Sequence, residues 1–288
     1  MMTMPEILFY PFILRAFIAC IITSIVSSVI GVYVVLRGLS TIGAAIAHSA
    51  LAGAVIAIFL GFDPVLGAFI ISIVFALILA YSGEKNRGRM DITIGVLFGF
   101  SAALAILFIS LISAYTASAW RFLIGDVLGV SEWEIYVMSF FSIIILTVMY
   151  VFYKEFKYTT FDPEAAEALG LKVRFYSYLI VILIALTAVI CLKVVGSILT
   201  EVLLVAPAAA AYQFAHSIEK MKTLSVIIAI SSSTAGLILS ILIDISASAT
   251  IGLMAVAIYF TSLILSTKRR KCKAFIEYSR VASRKSKI

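Results

Sequence analysis

Hydrophobic residues run along this chain in long blocks separated by short polar stretches. A helix that spans a bilayer needs roughly 20 mainly apolar residues. That criterion predicts nine spans, near Ile13 to Val35, Ala45 to Leu60, Val65 to Tyr81, Ile92 to Ile112, Ile135 to Phe152, Tyr176 to Leu192, Ile198 to Phe214, Leu224 to Ile243 and Ile251 to Leu265. The second and seventh are short and rich in Ala and Gly, a composition suited to packing inside a bundle or lining a pathway. The first carries Arg15 near its start and has no small-residue cleavage site behind it, so it reads as a retained helix and not as a signal peptide.

Composition leaves no room for a soluble alternative. Of the 288 residues 63% are hydrophobic and only 13% charged, against about 25% charged in an ordinary soluble domain. The expected fold is all-α, a polytopic membrane protein of eight to nine transmembrane helices in the cell membrane. The transmembrane domain covers residues 1–267 and a basic cytoplasmic tail covers 268–288. Among the 22 Lys and Arg, all but Arg15, Arg121 and Lys193 fall on one side when the spans alternate. By the positive-inside rule the N-terminus is expected outside and the C-terminus inside. The net charge of +7 therefore describes loops and tail lying near lipid headgroups, not a nucleic-acid partner. Cys20, Cys191 and Cys272 are scattered without metal-ligand spacing, which implies neither a disulfide framework nor a cysteine metal site.

The segment from Phe161 to Leu171, FDPEAAEALGL, lies in the longest polar interruption and carries its own helix signals. Asp162 suits an N-cap, Pro163 and Glu164 suit the first turn, and Gly170 suits the stop. Its small residues Ala165, Ala166 and Ala168 suit insertion into a groove on another protein. A plain interfacial connector between two spans is the alternative.

Within the spans, His48 and Glu201 are the ionisable groups of interest. An Asp, Lys or Arg at the centre of a span costs at least about 2.5–3.5 kcal/mol on insertion scales, so such groups face the bundle interior or a wet cavity. No Lys or Arg lies mid-span to pair with Glu201. Hydrogen bonding to a neighbouring helix is the structural alternative for both residues. Gly95 and Gly99 form a GxxxG, and with the small residues around Ala44 and Gly53 they predict close helix approach. Pro207 predicts a kink, Phe122 to Val130 a short interfacial helix, and Tyr115, Trp120, Trp133 and Tyr136 interfacial anchors.

Four segments in order, VLRGLSTIGAAIAHSALAGA (Val35 to Ala54), FDPEAAEALGL, VVGSILTEVLLVAPAAAA (Val194 to Ala211) and IDISASATIGL (Ile243 to Leu253), resemble the permease subunits of ABC importers for zinc, manganese and iron. The resemblance implies a permease working with a second copy of itself. It also implies a cytoplasmic ATPase subunit that binds ATP and docks on Phe161, Asp162, Pro163, Glu164, Ala165, Ala166, Glu167, Ala168, Leu169 and Gly170. An extracytoplasmic metal-binding protein would deliver the cargo. On this reading the chain is a transport subunit and not an enzyme. It holds no tightly bound cofactor and passes a divalent metal ion as substrate, with His48 and Glu201 as transient pathway contacts.

Three positions depart from the family pattern. Ala44 stands where many members have Asp, one turn from His48; Ser246, Ala247 and Ser248 replace a Pro-Ser-Gly run; and Glu201 replaces an apolar residue. Loss of a hard oxygen ligand at Ala44 tilts the expected cargo toward zinc over manganese or iron. A proton-coupled secondary transporter using Glu201 is the alternative function. An intramembrane hydrolase is disfavoured by the absence of paired aspartates or a matched nucleophile and base.

Overall fold

The computed structural model describes residues 10–85, 87–112 and 121–266. Every long element among them is an α-helix: α1 Pro11–Leu36, α2 Ser40–Leu60, α3 Pro64–Lys85, α4 Arg87–Leu111, α5 Glu132–Val151, α6 Tyr153–Phe161, α7 Pro163–Ala168, α8 Val173–Phe214, α9 Ile218–Ile243 and α10 Ala247–Leu265. All except α6 and α7 are long and apolar enough to cross a membrane. Tyr115, Trp120, Cys272 and the tail 268–288 lie outside the described residues.

Helix α8 resolves the span count. Its 42 residues at about 1.5 Å each would reach roughly twice the ~30 Å of a hydrocarbon core. At Gly196 the backbone leaves the helical region, with φ 81° and ψ 166°, a conformation essentially reserved for glycine. The chain reverses there. Ser27 Oγ lies 3.5 Å from Cys191 Sγ, and one turn further along α1 Gly31 packs against Leu204 and Ala208. In an unbroken helix Cys191 and Leu204 would stand about 20 Å apart along the axis, against about 6 Å for Ser27 and Gly31. Segments 173–195 and 197–214, here α8a and α8b, are therefore two antiparallel spans, making nine membrane-length segments among the described residues.

Backbone groups freed at this break are taken up by the segment before α5. Asp126 N–H donates to Val194 O at 3.1 Å, and Ser197 Oγ–H donates to Leu123 O at 3.5 Å. Within that segment the helix covers only 121–124. The short helix expected over Phe122 to Val130 ends there because Gly125 turns the chain at φ 87°.

Helices α1, α2, α8a and α8b form the buried centre. Leu204 of α8b sits where three of them meet, against Gly31 of α1 and Gly43 of α2. A Cβ on Gly31 would collide with the backbone carbonyl of Leu204, which cannot swing aside as a side chain can. Gly31→Val should therefore lower the melting temperature of the detergent-purified protein markedly, with an overpacking cost of about 1–3 kcal/mol or more. An unchanged melting temperature would show that α1 and α8b can separate freely. Hydroxyls lace α1 to α9: Ser24 and Ser233 hydrogen-bond at 2.7 Å, and Ser225 donates to Ser28 O at 3.3 Å. In a bilayer each such bond contributes roughly 0.6–2 kcal/mol.

Outer positions are filled by α3, α4 and α5, whose large side chains stay exposed, Ile92, Val96 and Ile106 among them. The close approach expected at Gly95 and Gly99 does not occur within the chain, since nothing lies within 4 Å of either added Cβ. That face of α4 points away from the bundle. At Pro207 the backbone stays helical, Gly196 being the non-helical residue within α8.

The charges sort to two ends. At one end Arg15 pairs with Glu132 at 3.8 Å, Arg121 with Asp126 at 2.7 Å, and Lys193 with Glu134. Glu134 also closes a reciprocal capping box with Ser131 at the start of α5. Trp133 and Tyr136 are exposed beside these pairs, as interfacial anchors should be. Arg37, Lys157, Arg174 and Lys222 lie at the opposite end with α6 and α7.

Candidate functional site

Helix α7 is short, and its ends are secured locally. Asp162 Oδ1 accepts from Ala165 N–H at 3.0 Å, and Pro163 occupies the first turn, where its missing N–H costs nothing. At the other end Leu171 N–H donates to Ala166 O at 3.0 Å and Gly170 N–H to Glu167 O at 2.9 Å. Gly170 has φ 83°, which completes a Schellman cap. Ala166 is buried against the chain's own helices, so the small-residue face is not wholly free. Asp162, Glu164, Ala165, Glu167, Ala168, Leu169 and Gly170 are exposed and Pro163 is half-buried. Phe161 and Leu169, large apolar residues at the two ends, are 63% and 73% exposed. Helix α7 is thus largely exposed between two exposed apolar residues.

Neighbouring α6 is held from two sides. Tyr153 donates to Glu219 of α9, and Lys157 Nζ donates to the same carboxylate at 3.1 Å. That hydrogen bond, with Tyr153 nearby, holds the Lys157 ammonium above its ordinary range. Lys222 Nζ lies 4.8 Å from the Tyr33 ring centroid and 4.2 Å from that of Tyr153, a cation over two aromatic faces. On the other side Arg37, just past the end of α1, donates to Thr159 Oγ1 at 3.0 Å and Thr160 Oγ1 at 3.1 Å, both in α6. It also donates to Ser177 Oγ of α8a at 3.4 Å.

From Ile42 to Val55 every residue of α2 is buried except His48. Its ring meets Phe98 of α4 edge-on, with centroids 4.8 Å apart and planes at 82°. Glu201 lies on α8b, where Glu201, Val202, Val205 and Ala209 are the half-buried positions between Leu199 and Ala211. They form a helical stripe, extended by the exposed Ile198 and Tyr212. Levels can be compared through the Gly43 and Leu204 contact. Val32 clusters with Ala208 and Ala211, so α1 and α8b run parallel while α2 returns antiparallel. His48 then stands about 7.5 Å beyond Gly43, and Glu201 about 4.5 Å beyond Leu204, in the same direction. The two side chains share a level to within about 3 Å, on neighbouring helices. Phe98, not Glu201, is the side chain against the His48 ring. Among the described residues no group of three or more His, Cys, Asp or Glu is gathered as a metal cage. Cys20 and Cys191 are buried and free, and His216 is exposed.

Arg37 was not legible as a site residue from sequence. Its partners Thr159, Thr160 and Ser177 lie more than 120 positions away, and alone it counts only as one more basic residue at a span end.

The described residues thus form a bundle of membrane-spanning helices with a short capped helix at one end and the half-buried His48 and Glu201 at similar levels on neighbouring helices. The chain belongs to the ABC 3 transport family, whose model matches residues 9–266. It is 32% identical over 264 residues to the manganese transport system membrane protein MntC of Halalkalibacterium halodurans, covering 92% of this chain and 90% of that protein. It is likewise 32% identical over 255 residues to the chelated iron transport system membrane protein YfeD of Yersinia pestis, covering 88% and 86%. Among solved structures, PsaBC from Streptococcus pneumoniae in complex with Fab superposes with a TM-score of 0.83 at 30% identity, over 94% of this chain and 97% of that one. The chain is thus a multi-pass transport subunit of the cell membrane.

Proposed function

We propose that this protein is the permease subunit of an ATP-driven importer of a divalent transition metal ion, and that manganese(II) is the first cargo to test. The observation that carries the reading is α7: a helix of one and a half turns, capped at both ends, with Phe161 and Leu169 exposed where a cytoplasmic ATPase subunit would seat. Relatives named for manganese and chelated iron give the expected zinc preference no support. A path that binds weakly also agrees with His48 and Glu201 as its contacts, no group of three or more such ligands being gathered among the described residues, because an ion held by a full ligand cage would not leave.

A second copy completes the pathway on this reading. The stripe carrying Glu201 and the bare α4 face at Gly95 and Gly99 are open surfaces that it would cover, and an extracytoplasmic metal-binding protein would deliver the ion. Cross-linking in native membrane should trap a dimer, and a transport-competent monomer would overturn that part.

The deciding experiment is uptake into proteoliposomes holding the permease and its ATPase, with manganese(II), iron(II) and zinc(II) offered separately. ATP-dependent manganese(II) uptake is the expected result. Uptake driven by a proton gradient without the ATPase would instead support the Glu201-based secondary transporter.

A further inference from the structure

Between α7, the turn joining α1 to α2 and the facing ends of α3 and α4 lies an open cleft of about 530 Å³, lined by Arg37 from the turn, Ala80 from α3, Asp91 from α4, Thr160 from α6, Pro163 from α7 and Ser177 from α8a. Side chains pass force to one another where they touch. The Arg37 guanidinium reaches across this cleft. It donates to Thr159 and Thr160, immediately before the Asp162 cap of α7, and to Ser177, one turn into the helix that follows α7. One planar fork thereby holds both chain segments flanking α7.

The other end of that connection is equally specific. Arg37 is followed by Gly38 at φ 71° and Leu39, and α2, the helix that carries His48, begins at Ser40. The Arg37 contact with the base of α7 is thus three positions from the first residue of α2.

We propose that Arg37 is the coupling strut of this permease, a positioning residue that carries movement of α7 to the α1–α2 turn and so to the level of His48. This inference rests on the reading of α7 as the ATPase docking helix. Its competitor is the aromatic packing of Tyr33 on Phe156 at 5.9 Å and Phe156 on Tyr176 at 6.0 Å, which also joins α1, α6 and α8a. The two routes separate experimentally. Arg37 contributes charge-assisted hydrogen bonds that side-chain substitution removes without altering that aromatic contact.

The test uses the full permease reconstituted with its ATPase, comparing Arg37→Gln, Arg37→Lys and the near-isosteric double variant Thr159→Val with Thr160→Val. Three quantities are read: ATPase co-purification, ATP hydrolysis, and manganese(II) ions imported per ATP. Expected are unchanged co-purification, continued hydrolysis, and a fall in ions per ATP of about tenfold or more for Arg37→Gln, the size set by losing charged hydrogen bonds. Smaller falls are expected for Arg37→Lys and for the double Thr variant. Should Arg37→Gln not assemble, the double Thr variant, which removes no charge, carries the test by itself. Unchanged ions per ATP in the variants that assemble would overturn the strut and leave the aromatic contact as the route. Loss of ATPase binding in the double Thr variant would also overturn it, since Arg37 would then be shaping the dock and not transmitting from it. Failure of the wild-type permease to bind any ATPase would strike the reading of α7 itself, a result distinguishable from either.

Discussion

Asp162→Ala combined with Gly170→Leu should abolish ATP-driven uptake while the permease still inserts and folds. Both ends of α7 depend on these residues, through the Asp162 acceptor for Ala165 N–H and the Gly170 φ of 83°. Removing an Asp cap costs about 1 kcal/mol, and forcing a Cβ into the left-handed region costs roughly 1–2 kcal/mol. A helix this short has little cooperative reserve to absorb the loss. The spans satisfy their own backbone and do not need α7, so membrane insertion and melting temperature should be nearly unchanged. Uptake and ATPase co-purification are the measurements, and persistence of both in the double variant would refute the docking role.

An effect of comparable size is expected inside the membrane. His48→Ala and Glu201→Gln should each reduce manganese(II) uptake about tenfold or more, by analogy with the 10–100-fold losses seen even for groups one shell out from a metal. The physical ground is that His48 is the one opening in a buried stretch of α2 and Glu201 lies at the same level on the adjoining α8b. An ionisable group at that depth persists only where it is paired, protonated or wet, and a cation pathway supplies wetting. Ala44→Asp, one turn from His48, should partly restore uptake to Glu201→Gln by returning an oxygen ligand to the same face. Normal uptake by Glu201→Gln across metal concentrations would reduce the glutamate to a helix-packing role. Phe98 supplies a control: its ring stands edge-on against His48, so Phe98→Leu should alter uptake without changing ATPase binding.

Local chemistry explains which features were readable in advance. The span positions follow from block lengths of apolar residues set against bilayer thickness, and α7 from residues whose cap and stop functions act within a few positions of themselves. Even so, α2 begins at Ser40, ahead of the Ala45 expected from hydropathy, because Ser40 and Thr41 lower the apolar average without opposing the helix.

Which faces meet was another matter. In a span that is apolar all round, Leu facing lipid and Leu facing protein gain nearly the same solvation, so no periodicity marks the buried side. Gly95 and Gly99 therefore looked like packing sites and are bare within the chain, whereas Gly31, unremarked in sequence, sits against the Leu204 backbone. The reversal at Gly196 was visible only as a gap between two spans; its unusual dihedrals, and the partnership with the segment around Gly125, depend on contacts across some 70 residues. The Arg37 fork is the same case. Sequence determined that this is a membrane bundle of eight to nine spans with one short capped helix between two of them, because those properties are summed over neighbouring residues. Tertiary structure alone decided that Phe98 stands against the His48 ring and that Arg37 bridges the base of α7, because those properties belong to pairs of distant residues whose approach is set by helix packing.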